Sequence, residues 1–278
     1  MSRIQNILDK AEREGTVRRM RGADAAAAAV ALDAAAPAAV SSPPASVIDT
    51  LGPASAVPPT SVVRVVTGAR LDRRLLAAAA ADSVAAEQYR ALRTRILHAD
   101  NGSPVHIIMV TSPGRGEGKS LTAANLGLTM AQEYQRRICV VDADLRHPQM
   151  HRLFGLPDGP GLAEVVAGEA LLDDALITLE DYQITVLPAG RMPARPAELL
   201  GTTAMRRTLE TLRSQFDRLI VDTPATAPLA DVGILTPLVD TVLLVVRAGI
   251  TGKPAIHDAI AAIDASKLLG VVLNEATL

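Results

Sequence analysis

Apolar positions are distributed in three different ways along this chain. Over residues 2–21, Ile4, Ile7, Leu8 and Ala11 recur at helical spacing, with Ser2 placed to cap. Arg18, Arg19 and Arg21 add positive charge where a helix C-terminus favours it. This predicts a basic amphipathic helix within residues 1–22. It is either a solvated helix or a docking helix for a partner or an anionic membrane surface. Residues 23–60 are mostly Ala, Pro and Ser, with little that could pack, so they read as a largely disordered linker. The linker is extended through the ambiguous stretch 61–82, where SVVRVV reads as a short strand followed by a basic turn.

From residue 83 to 278 the pattern changes again. Apolar runs of strand length occur at 106–110, 138–144, 184–190, 218–224, 241–249 and 270–274, separated by helical stretches such as 119–134, 202–214 and 254–266. Continuous Val/Ile/Leu runs that alternate with helices predict an α/β fold, a mostly parallel central sheet with helices on both faces. Functional loops in such a sheet lie at the carboxyl ends of the strands.

Composition narrows the function classes. Hydrophobic residues make up 49% of the chain, but aromatics only 2% with no Trp, so the core must be aliphatic. The formal net charge of −2 draws the chain to no nucleic acid. The single cysteine, Cys139, excludes an internal disulfide framework and sits in an apolar strand, as an inert core residue would. The five histidines show no ligand spacing. No apolar run reaches the roughly 18 residues that span a bilayer, and the charged start does not read as a secretory signal. A cytoplasmic protein is expected, held at the membrane only through a partner.

The chemistry begins at TSPGRGEGKS, residues 111–120, between a predicted strand and a predicted helix. This is the context of a phosphate loop. Gly114, Arg115, Gly116, Glu117, Gly118, Lys119, Ser120 and the adjoining Leu121 form the expected cradle, in which backbone N–H groups and the helix dipole face phosphate oxygens. Lys119 would reach the β/γ-phosphates and Ser120 a Mg²⁺ ion. The alternative is a glycine-rich turn with an exposed lysine. Pro113 stands where the general pattern has its first glycine, ahead of the residues that wrap the phosphates. Asp142 and Asp144 in ICVVDADLRHP, and Asp222 in RLIVDTP, leave the ends of two core strands. Each alone could cap a turn, whereas three beside a GKS favour a metal–nucleotide site. Asp231 either caps a helix or orients a phosphate-side group, and Arg247 could approach phosphate or a neighbouring subunit.

VTSPGRGEGKSLTAANLGLTMA, ICVVDADLRHPQMHRLFGL, FDRLIVDTPATAPLAD, TVLLVVRAGITGK and LLGVVLN together resemble the bacterial tyrosine kinases of capsule and exopolysaccharide synthesis. These belong to the deviant-Walker branch of P-loop NTPases. The resemblance covers residues 83–274 and implies ATP and Mg²⁺ as cofactors. It also implies that Lys119, Asp142 and Asp144 are catalytic and that Ser120, Asp144 and Asp222 serve the metal. Asn274 matches the place where related ATPases present an asparagine to adenine; a strand-terminal turn is the other reading. Gly114 stands where the partitioning ATPases of the same branch carry a signature lysine, which sides this chain with the kinases. Glu87, Arg90 and Arg93 in EQYRALR resemble the family's oligomerisation motif, with all three side chains on one helix face. The implied partners are further copies in a homo-oligomer and a membrane-bound polysaccharide co-polymerase or chain-length regulator.

The family's usual tyrosine-rich acceptor tail is missing from the final LNEATL, and the tyrosines present are Tyr89, Tyr134 and Tyr182. Three outcomes are therefore open: phosphoryl transfer to another polypeptide, use of Tyr89 as an internal acceptor, or an ATP-switched scaffold without kinase output.

Overall fold

The computed structural model describes residues 64–80, 82–98, 105–132, 136–227 and 231–276. The predicted helix over 1–22 and most of the linker lie outside them.

Eight strands form one sheet: β1 Arg64–Val66, β2 Ile107–Thr111, β3 Ile138–Asp142, β4 Ile177–Leu179, β5 Ile184–Leu187, β6 Arg218–Asp222, β7 Thr241–Arg247 and β8 Leu268–Asn274. Their order is β1-β4-β5-β3-β6-β2-β7-β8, and only the β4–β5 pair is antiparallel. Every residue of β2, β3, β5 and β6 is buried, which is why these strands read as unbroken apolar runs rather than alternating ones. Ile107 and Met109 point to one face, and Ile108 and Val110 to the other.

The α-helices, in chain order, are α1 Leu76–Ala79, α2 Val84–His98, α3 Lys119–Ala131, α4 Met150–Leu153, α5 Leu162–Ala167, α6 Leu172–Ala175, α7 Pro196–Leu200, α8 Thr203–Gln215, α9 Asp231–Leu235 and α10 Lys253–Ala261. Side chains of α1 to α4 pack on the Ile108 face, and those of α5 and α7 to α10 on the Met109 face. The expected α/β fold, a mostly parallel sheet covered on both faces, is the one observed.

Three expectations shift. The linker was expected to run to residue 82; the short strand read within it is the edge strand Arg64–Val66, but Leu75 and Ala77 beyond it are fully or almost fully buried. The alanine-rich run LLAAAA looked featureless because small apolar residues carry no periodic signal; here it packs on α3. The main-chain N–H of Ala77 donates to the Asn125 side chain of α3 at 3.1 Å. β4 was not foreseen, since three residues are too few for a pattern to show. The helix predicted over 254–266 stops at Ala261. Asp264 ends it by accepting both the N–H and the hydroxyl of Ser266.

Gly127 marks the closest approach of α3 to the sheet. A Cβ there would collide with Val140 of β3 and press on Ile184 of β5. Helix propensity alone makes Gly127→Ala a gain of about 1 kcal/mol. Overpacking a core this tight costs about 1–3 kcal/mol. The variant should therefore unfold at lower urea than the parent, and an unchanged or raised midpoint would refute the tight contact.

Candidate active site

The loop after β2 is gripped from outside by three elements. The main-chain N–H of Thr226, beyond β6, donates to the Ser112 carbonyl at 2.8 Å. The hydroxyl of Thr251, beyond β7, donates to Glu117 Oε1 at 2.8 Å. The amide of Asn274, the last residue of β8, donates to the Glu117 carbonyl at 3.0 Å. Gly116 and Gly118 have φ of 78° and 93°, which makes the curl possible without strain. Any side chain at Gly118 would also run into the Asn274 amide. Glu117 turns its buried carboxyl away from the groove as a brace, and burial raises its pKa. Pro113 is buried in the loop entrance, where its carbonyl accepts from Thr226, so the proline is compatible with the curl.

Gly118 leads into α3, whose first residue is Lys119. The Lys119 ammonium lies 2.6 Å from Asp144 Oδ2, 3.2 Å from Ser120 Oγ and 3.8 Å from Asp222 Oδ1. Burial opposes its charge, but Asp222 and Asp144 outweigh burial and raise its pKa. Asp142 and Asp222 are register partners on the adjacent strands β3 and β6, and both are fully buried.

Their surroundings differ. Asp142 Oδ2 accepts the N–H groups of Gln149 and Met150, each at 2.9 Å, while its Oδ1 accepts that of Asp144 at 3.2 Å. It therefore holds the segment 144–150 in place, with both oxygens engaged. Asp222 has no hydrogen-bond partner for either carboxylate oxygen. A buried acceptor left unpaired is costly, and beside Ser120 and Asp144 it fits the water shell of a hard divalent cation. Among the described residues no three His, Cys, Asp or Glu side chains form a complete metal cage. That suits Mg²⁺, which retains waters and takes phosphate oxygens as ligands.

Asp144 is further aimed by the N–H of His147, 3.0 Å from Oδ1. The turn that carries His147 is pinned in turn by Arg146, whose guanidinium reaches Asp231 at 2.8 Å and 3.4 Å. Asp231 is fully buried at the start of α9, so it ties the segment after β6 to the segment after β3. Sequence reading left Asp231 open and did not single out Arg146; nothing in the local pattern reveals a bond across 85 positions.

A cavity of about 380 Å³ opens above Lys119, lined also by Ser120, Asp144, Arg74, Asn274 and Glu275. Arg115, Gly116, Gly118 and Leu121 line it as well, whereas Gly114 faces a second cavity on the other side of the loop. Arg247 meets Glu275 at 2.6 Å and lines the second cavity with Gly114. Of the three residues expected at a subunit boundary, Glu87 and Arg90 pair with each other at 2.7 Å, and Arg93 donates to the Thr129 carbonyl of α3 at 2.9 Å. Tyr89 is turned inward, and burial raises its pKa.

The comparison with known proteins fits this geometry. The chain is 35% identical over 209 residues to the tyrosine-protein kinase YwqD of Bacillus subtilis, covering 74% of this chain and 88% of that protein. The chain belongs to the bacterial tyrosine-protein kinase family. Another member, the tyrosine-protein kinase ptk of Acinetobacter johnsonii, is 32% identical over 173 residues, or 62% of this chain. It is much longer, and only 24% of its length is matched. Among solved family structures, the kinase domain of Escherichia coli tyrosine kinase ETK superposes with a TM-score of 0.68 at 26% identity, covering 78% of this chain and 92% of that domain. No family model matches the chain. No helix among the described residues is long and apolar enough to cross a membrane.

The carboxylates of this family member make its stability pH-dependent. Burial, first, and then repulsion between Asp142 and Asp222 raise the pKa of Asp142; burial also raises that of Asp222. The folded state therefore keeps protons that the unfolded chain has already released above about pH 4. Raising the pH removes them, so stability should fall from pH 5 to pH 8 in the metal-free protein. Thermal unfolding in EDTA at the two pH values should show this fall, and Asp222→Asn should flatten it. A parent protein more stable at pH 8 than at pH 5 would contradict the assignment.

Proposed function

We propose that the cavity above Lys119 binds Mg-ATP and that this chain transfers the γ-phosphoryl group to a tyrosine of another polypeptide. The observation that carries this reading is the buried Lys119 ammonium set between Asp144 and an unpartnered Asp222 carboxylate, at the mouth of a loop shaped by Gly116 and Gly118. Lys119 and the N-terminus of α3 draw the β/γ-phosphates. Ser120, Asp144 and Asp222 would hold the Mg²⁺ ion, which when bound neutralises charge on the phosphate oxygens.

Asp144 is the carboxylate at the cavity wall, so it receives or orients the acceptor hydroxyl; Asp142 keeps the segment carrying it in place. The tyrosine oxygen bonds to the γ-phosphorus as the bond to the β–γ bridging oxygen breaks. ADP leaves, and the phenolic proton passes to Asp144 or to water. The inward-facing Tyr89 hydroxyl favours an acceptor on a different chain. We further propose that the output controls polysaccharide polymerisation or export through a membrane-bound co-polymerase, and that copies associate through the exposed side of α2. The same Tyr89 geometry also leaves room for an ATP-switched scaffold with no kinase output.

Lys119→Met should weaken ATP binding at least about tenfold, near 1.4 kcal/mol, without changing the folded-state circular dichroism. Unchanged ATP affinity would overturn the site assignment. Phosphotyrosine blotting of the chain and a co-expressed partner then separates the two outputs. ATP turnover without phosphotyrosine would replace the kinase reading with the scaffold.

A further inference from the structure

The segment 64–80, which the sequence offered as the end of a linker with a short strand and a basic turn, contributes Arg74 to the wall of the cavity above Lys119. Leu75 is fully buried, and the Asp72 N–H donates to the Leu153 carbonyl at 2.9 Å. The Asn125 amide of α3 donates to the carbonyls of both Arg74 and Leu121, at 3.1 Å and 3.0 Å. That one buried amide fixes the Arg74 backbone directly beside the first turn of α3. The Arg74 side chain lines the cavity together with Asn274 and Glu275.

Its guanidinium is already held. Nε and Nη2 donate to the two oxygens of Asp72 at 3.0 Å and 2.8 Å, and the Arg74 N–H adds a third bond to the same carboxylate at 2.9 Å. This edge-on fork is the one an arginine would use to clasp a phosphate, and Asp72 both occupies it and offsets its charge. The flat faces of the guanidinium stay available, since the carboxylate lies in the guanidinium plane. The side chain is 66% exposed, so a face is open to a ligand.

With phosphates at Lys119 and Ser120, the far end of a nucleotide must extend along the cavity toward Arg74 and Asn274. The planar side chains of positive or aromatic character that line the cavity are the His147 imidazole and the Arg115 and Arg74 guanidinium groups. Arg115 belongs to the phosphate loop, and His147 is bound through its N–H to Asp144, on the phosphate side. A purine ring beyond the phosphates therefore has the Arg74 cation as its flat partner.

We propose that Arg74 stacks on the nucleobase of the bound nucleotide, with Asp72 presenting its face and diverting its edge from phosphate. The assignment rests on the Mg-nucleotide reading above and adds a base-binding residue to it. Calorimetric titration of the full chain with Mg-ADP and, separately, with magnesium tripolyphosphate tests it. Arg74→Ala should weaken Mg-ADP binding about three- to thirty-fold, the range of a cation–π contact, and leave tripolyphosphate affinity within about twofold. Arg74→Met, which keeps the length and loses both charge and plane, should behave like the alanine variant and carries the test should the alanine variant not fold. Mg-ADP affinity unchanged within twofold in Arg74→Ala or Arg74→Met would overturn the proposal. An equal loss for tripolyphosphate would overturn it too, by moving Arg74 onto the phosphates. A parent protein that binds neither ligand would instead sink the Mg-nucleotide reading itself.

Discussion

The site depends on one electrostatic constraint: three carboxylates, Asp142, Asp144 and Asp222, buried at the ends of two adjacent strands, with the ammonium of Lys119 in contact or near contact with two of them. Such a cluster is expensive to desolvate. It is tolerable because each carboxylate meets a different environment. Asp142 is satisfied by main-chain N–H groups, Asp144 by Lys119 and the His147 N–H, and Asp222 faces Lys119 at the longer distance of 3.8 Å. The unmet demand at Asp222 is what a magnesium–phosphate ligand would supply.

The braces around the cluster follow from the same requirement. A charge cluster works only if it cannot relax, and here the phosphate loop and the turn after β3 are each tied to another strand's exit. Thr226 and Thr251 hold the loop from the β6 and β7 sides, and Arg146 joins the β3 exit to α9 through Asp231. The sheet places these exits side by side because β3, β6, β2 and β7 are neighbours and all parallel.

Much of this was legible in the sequence. The core strands announced themselves because both faces are covered, so apolar residues run without interruption. Lys119, Asp144 and Asp222 could be anticipated because each leaves the end of such a strand or begins the helix that follows one. What escaped was non-local or patternless. Arg74 sits in a stretch whose alanines give no periodicity, and its place at the cavity is set by Asn125 on a distant helix. Arg146 meets Asp231 only once the chain has folded. For Asp142 the residue could be read but not its bonds: spacing shows a carboxylate at the strand end, and only the fold shows its oxygens turned to the main chain behind it. Arg93 likewise could be read as a residue of α2, but not its bond to the Thr129 carbonyl of α3.

Asn274 ends β8, an outermost strand whose single neighbour is β7, and its amide rests on the phosphate loop at Glu117 and Gly118. A margin strand is the part of a sheet that opens at least cost. The order of the phosphate loop and the annealing of that margin are therefore coupled through the Asn274 amide. On the nucleotide reading proposed above, anything that zips the margin shut raises nucleotide affinity, and nucleotide protects the margin's amides by the same factor.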